Sequence, residues 1–163
     1  AHRRLGHAIA HRQVRRTYAA LAWGHLDESP LEINAAMGRH PQDRKRMQVR
    51  EDGRAARTDA FVIARFGVCD LLRLELHSGR THQIRVHLAS SGFQIAGDDK
   101  YGDFALNRAL LKGDETRGAL RRMFLHAHQI TFTHPESGKE MTLNAPLPGE
   151  CERFLLSLGK PFS

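Results

Sequence analysis

The chain has 163 residues, 40% of them hydrophobic, and 25 Lys and Arg against 18 Asp and Glu, giving a net charge of +7 and a pI near 10.1. That length and apolar content suit one domain, read as 1–163, which can bury roughly 70% of its unfolded surface; global disorder is excluded. No apolar run approaches the roughly 20 residues of a membrane span and no secretory signal opens the chain, so no membrane partner and a cytoplasmic location are expected.

The positive excess calls for a polyanionic partner, nucleic acid before any other. Basic residues gather at Arg3, Arg4, Arg12, Arg15 and Arg16, and again at Arg39, Arg44, Lys45, Arg46 and Arg50. Either cluster alone is as readily a solvated face. Together with Arg80 and Arg85, they favour phosphate contact. Cys69 and Cys151 lie far apart in neither metal nor redox spacing, which reads as two structural thiols in a reducing compartment.

In chain order, the first dozen residues have a helical pattern, with Leu5, Ala8 and Ile9 on one side and arginines on the other. Arg16 to Trp23 reads as a strand ended by Gly24, with Trp23 in the core. A loop around Asp27-Glu28-Ser29-Pro30 precedes a short strand at Leu31 to Ala35. Gly38 to Met47 is basic and aperiodic, a loop; a strand follows at Met47-Gln48-Val49, then a turn at Glu51-Asp52-Gly53. Alternation from Asp59 to Phe66, and again from Leu71 to His77 beyond Gly67, predicts an antiparallel hairpin. After a turn at Ser78-Gly79, Ile84 and Leu88 share a helical face and Gly92 marks the stop. Gly92 to Asp103 is a connection, Phe104 to Leu111 a short helix, and Gly113 to Gly118 a loose stretch. Phe124 to Thr133 reads as a strand with Ile130 and Phe132 facing one way, and His134 to Gly138 turns it back into Met141-Thr142-Leu143. Cys151, Phe154, Leu155 and Leu158 share one face of a closing helix. The fold class is therefore α+β: a mixed, largely antiparallel β-sheet with flanking helices.

The densest chemistry stands where the second hairpin strand becomes a helix. Arg80, Thr81, His82, Gln83, Arg85 and His87 crowd an edge that offers free backbone N–H groups and the positive end of a helix dipole, a setting for an anion. His82 and His87, five apart, diverge in direction, and no Cys or carboxylate completes a ligand set, so no metal is expected. Asp98-Asp99 reads as a polar turn rather than a magnesium site.

Three stretches resemble the large-subunit ribosomal RNA pseudouridine synthase family. Arg16-Thr17-Tyr18-Ala19-Ala20-Leu21 is similar to its lysine/arginine-x-tyrosine strand. Gly79 to Leu88, continuing through Gly97-Asp98-Asp99-Lys100-Tyr101-Gly102, resembles its strongest signature. Leu125-His126-Ala127, Phe132-Thr133-His134-Pro135 and Asn144-Ala145-Pro146 are similar to its C-terminal strands. The resemblance implies the family's catalytic-domain fold and isomerisation of uridine in ribosomal RNA. The N-glycosidic bond is cut, the base turns, and a carbon–glycosidic bond replaces it, with no cofactor. It also implies that Tyr18 stacks on the target base and assists proton removal, and that Arg85 pairs with a nucleophilic aspartate. Arg80, His82 and Gln83, with Arg44, Lys45 and Arg46, are the expected RNA contacts; for His82 and Gln83 local hydrogen bonding is the other reading.

The chain departs from the family at the nucleophile. The histidine-arginine-leucine-aspartate motif that carries it is absent, and none of Asp27, Asp43, Asp59, Asp70, Asp98, Asp99 or Asp103 has a matching context. The expectation is a C-terminal portion of the catalytic domain, inactive alone, with an open sheet edge and marginal stability. A non-catalytic RNA-binding module is the alternative, and a DNA-binding protein a weaker one. No obligate protein partner is evident.

Overall fold

The computed structural model describes residues 14–115 and 117–162. The expected N-terminal helix lies outside them. Among the described residues there are eight strands: β1 (Arg15–Trp23), β2 (Leu31–Asn34), β3 (Met37–Arg39), β4 (Met47–Val49), β5 (Arg57–Arg65), β6 (Cys69–Leu76), β7 (Leu125–Thr133) and β8 (Glu140–Asn144). Three helices join them: α1 (Gln83–Ser90), α2 (Phe104–Leu110) and α3 (Gly149–Ser157). Six strands form one sheet in the order β2-β5-β6-β1-β7-β8, and each neighbouring pair is antiparallel.

Alternation along the central strands sends side chains to two faces, and each face has its own core. Ala20 and Ala22 of β1, Leu72 and Leu74 of β6 and Ala60 of β5 meet Ile84 and Leu88 of α1. Leu21 and Trp23, displaced by one residue, meet Leu110 of α2 and Cys151 and Phe154 of α3 on the other side. At roughly 1.5–3 kcal/mol for each large side chain removed from water, these two layers supply most of the driving force. Helices on both faces and a continuous antiparallel sheet make the α+β architecture.

Two bulges interrupt the ladder. In β5 the pairing with β6 skips Ile63, which is left 55% exposed. In β7 the pairing with β1 jumps from Thr17↔Gln129 to Tyr18↔Ala127, so the strand bends beside Tyr18. The basic stretch read as a loop hides a strand: β3 pairs with β4 as a small separate hairpin. A three-residue strand with glycine at its centre carries no period to detect. The hairpin is fixed by Met37, 2% exposed, which packs with Ala56 and Val86. A Cβ on Gly53 would run into the Met37 backbone, so glycine is required there. On β7, Thr131 is more buried than Ile130 or Phe132, and the neighbouring β8 is exposed along its whole length.

Candidate active site

The turn from β6 into α1 is built around one buried amide. Gln83 is 2% exposed, and both ends of its side chain are occupied. Its Oε1 accepts from Ser78 Oγ at 2.7 Å and the Arg80 N–H at 3.1 Å, and its Nε2 donates to the Arg57 carbonyl and Thr58 Oγ1, both at 2.9 Å. Thr58 Oγ1 lies 2.8 Å from His87 Nδ1, and His87 Nε2 lies 2.8 Å from the Ala35 carbonyl. One proton arrangement satisfies the whole chain: Nε2–H donates to Ala35, so Nδ1 accepts from the Thr58 hydroxyl, whose oxygen accepts from Gln83. That requires a neutral imidazole, and burial holds His87 below the usual histidine range. The expectation of RNA contact for Gln83 is thereby corrected. It is an internal brace that shapes the turn and has no amide atom left for a ligand.

Arg85 faces away from this brace, toward the Gly97–Gly102 segment. Asp98, 1% exposed, accepts from Arg85 Nε at 2.9 Å and Nη2 at 2.7 Å, and from the N–H groups of Lys100 at 2.9 Å and Tyr101 at 3.1 Å. Burial pushes the Asp98 carboxyl up, but Arg85 and the two N–H groups outweigh it and leave the group below the ordinary carboxylate range. The same hydrogen bond raises the Arg85 guanidinium. So Arg85 already has a carboxylate partner among the described residues, which leaves the expectation that it pairs with a nucleophilic aspartate standing beside this pair. Asp98 takes the side edge of the guanidinium, Nε and Nη2. At the end edge, Asp99 lies 3.5 Å from Nη2 and is itself 90% exposed.

Tyr101 ties this pair to the basic hairpin. Its hydroxyl accepts from the Met47 N–H at 2.9 Å and lies 2.8 Å from His82 Nδ1. The guanidinium carbons of Arg46 and Arg85 each sit 5.1 Å from its ring centroid, within cation–π range. His82 caps α1 in the left-handed region at φ 55°, a conformation a non-glycine residue keeps only when its surroundings impose it. Burial, then the charges of Arg85 and Lys100, holds His82 below its usual range, so Nδ1 accepts from the tyrosine hydroxyl. His82 is half-buried in this local bond; Arg44 and Lys45 are exposed at the hairpin tip, and Arg46 is half-buried against Tyr101. Arg80 is half-buried and donates from Nε to the Ala55 carbonyl at 3.1 Å.

Tyr18 is half-buried on the α1 face of β1, packed on the cluster that holds Ile84 and Leu88. Tyr18 and the Arg85 helix thus share one layer, and the β7 bulge bends the sheet beside the tyrosine. Arg85 lines a cleft of about 580 Å³ with Arg108, Arg121 and Arg122. Among the described residues no three His, Cys, Asp or Glu side chains are grouped to hold a metal ion. Cys69 and Cys151 are free and buried. The Cys69 thiol is pushed up to about 11 by burial and is not a nucleophile at neutral pH.

Residues 1–90 match the sequence family described as RNA pseudouridylate synthase. The chain belongs to that family. Ribosomal large subunit pseudouridine synthase D of Nitrosomonas europaea is 39% identical over 158 residues, which cover 94% of this chain and 44% of that protein. An uncharacterized RNA pseudouridine synthase of Chloroflexus aurantiacus is 42% identical over 147 residues, covering 90% and 43%. The solved structure of human RNA Pseudouridylate Synthase Domain Containing 1 superposes with a TM-score of 0.77 at 26% identity, covering 97% of this chain and 64% of that one. The chain therefore spans under half the length of those two curated relatives.

Three contributors escaped the sequence reading. Asp98 looked like one carboxylate of a polar turn, Tyr101 like a motif letter without a task, and Thr58, just ahead of the alternation from Asp59, was not singled out. The Gly97-Asp98 step followed three residues later by Tyr101 is the signal that was available.

Proposed function

We propose that the protein isomerises uridine to pseudouridine in RNA, with large-subunit ribosomal RNA as the substrate. Family membership together with the joint placement of Tyr18 and the Arg85 helix on one sheet face is the observation that carries this reading. Tyr18 offers a half-buried aromatic surface, and base stacking on such a surface contributes on the order of 1–3 kcal/mol. That stacking offsets the cost of lifting a target base from its helix.

Arg85 supports the nucleophile. A carboxylate that attacks the ribosyl or base carbon must stay ionised in a partly dry pocket, and a guanidinium held rigid does this best. Asp98 supplies the rigidity by fixing Nε and Nη2, and the Nη1/Nη2 edge toward the cleft is suited to a second carboxylate. In this proposal the nucleophilic aspartate comes from polypeptide outside the 163 residues, because no aspartate here stands in the family's motif. The test compares the 163-residue chain with the product of its full reading frame on ribosomal RNA transcripts. Pseudouridine from the longer product and none from the shorter is the expected pair of results. Pseudouridine from the 163 residues alone overturns the outside nucleophile.

A further inference from the structure

We propose that Tyr101 is a positioning residue of the isomerisation. Its ring holds Arg85 in place and its hydroxyl locks the β3–β4 hairpin to the start of α1, so one side chain sets the two relative to each other. The assignment rests on the proposed action on uridine in RNA, and it adds a residue that acts through Arg85 rather than on the base.

The segment that carries Tyr101 is itself fixed. Asn107 of α2 clamps it from both ends of one amide: Oδ1 accepts from the Gly97 N–H at 2.9 Å, and Nδ2 donates to the Asp98 carbonyl at 2.7 Å. A Cβ on Gly102 would run into that same carbonyl, so the chain closes tightly just after the tyrosine. Two side chains leave this short rigid piece for two different elements. Asp98 reaches α1 by way of Arg85, and Tyr101 reaches the hairpin. Lys100 runs the same way as the tyrosine, with Nζ 3.5 Å from the Lys45 carbonyl.

The phenol makes two bonds of opposite sense. Its oxygen accepts from the N–H of Met47, the first residue of β4, and its proton goes to Nδ1 of His82, the N-cap of α1. Because β3 and β4 pair over only three residues each, the hairpin has little of its own to hold it in register. The ring serves the other partner. Asp98 occupies one edge of the Arg85 guanidinium, and the aromatic face, 5.1 Å away, restrains the rest of the group. Arg46, next to Met47, stands at the same distance from the same ring, so the hairpin and Arg85 meet on one surface.

The experiment measures steady-state pseudouridine formation on a ribosomal RNA transcript by the full reading-frame product, well below each variant's melting temperature. Tyr101→Phe removes the hydroxyl and keeps the ring. It should raise KM about tenfold, as one lost hydrogen bond would, with kcat changed less than about twofold. Tyr101→Leu removes the ring as well and should lower kcat at least about tenfold below Tyr101→Phe, because a small misplacement of a group at the reacting centre is costly in rate. A readout apart from activity is the Arg85 Nε–H signal in NMR spectra of arginine-labelled protein, identified by its loss in Arg85→Lys. That signal should persist in Tyr101→Phe and broaden or vanish in Tyr101→Leu. Parent kinetics or an unchanged Arg85 signal in Tyr101→Leu overturns the assignment, and so do losses in both variants that merely follow the folded fraction. A kcat loss in Tyr101→Phe equal to that in Tyr101→Leu overturns the part given to the ring. If the parent forms no pseudouridine, the proposed function fails, and the Arg85 signal alone decides whether Tyr101 holds the arginine.

Discussion

Replacing Asp98 by alanine is the sharpest perturbation of the site that stability alone can report. The carboxylate is 1% exposed and the Arg85 side chain 12% exposed, so removal leaves a nearly buried cation without its partner. Such a loss costs about 3–5 kcal/mol, and partial rehydration of Arg85 places this pair near the lower end. The Lys100 and Tyr101 N–H groups lose their acceptor as well, adding about 1 kcal/mol together. A total of about 4 kcal/mol lowers the melting temperature of a domain of this size by about 10 °C. Asp98→Asn keeps an acceptor for the two backbone groups but sets an amide N–H against Arg85 Nε, and should cost about half as much. Urea unfolding of D98A, R85A and the double variant closes a thermodynamic cycle, with a coupling of about 1.5–3 kcal/mol expected. A D98A variant within about 1 kcal/mol of the parent, or a coupling below about 0.5 kcal/mol, refutes the rigidly held arginine.

Tyr101→Phe keeps the ring under both guanidiniums and removes the hydroxyl; it should lose about 1–2 kcal/mol and speed hydrogen exchange at the Met47 amide, read by mass spectrometry. His82 and His87 are held below their unfolded value, so the fold binds fewer protons than the unfolded chain. Their contribution is complete above about pH 6.5 and is lost as the pH falls through the folded values, so the urea midpoint should drop as the pH is lowered below about 6.5. Asp59 and Asp98 are likewise lowered in the fold, and their contribution is complete above about pH 4 and lost below it; D98N should flatten that acid limb.

What was legible in the sequence follows physical range. β1, β6 and α1 announce themselves because their apolar periods are local, and the polar crowd after Gly79 sits where the period changes from about 2 to about 3.6. The motif drew attention to these residues but not to what each touches. Gln83 looked like a surface ligand and is buried, because its partners Thr58 and Arg57 come from a strand some 25 positions earlier. Arg85 looked as if it awaited a distant acid, and Asp98, 13 residues on, already holds one edge of it. β3 was hidden because it is stabilised by the burial of Met37 under a hairpin, not by a pattern of its own.

The most direct test maps pseudouridine in ribosomal RNA by carbodiimide-dependent primer stops after incubation with the full reading-frame product and with its Tyr18→Phe variant. Stops at a defined uridine of the large-subunit RNA are expected with the parent. The variant should give none while binding the RNA as tightly and melting at the same temperature. Undiminished stops with Tyr18→Phe, or none with the parent on any ribosomal RNA, would contradict a catalytic tyrosine beside the Arg85 helix.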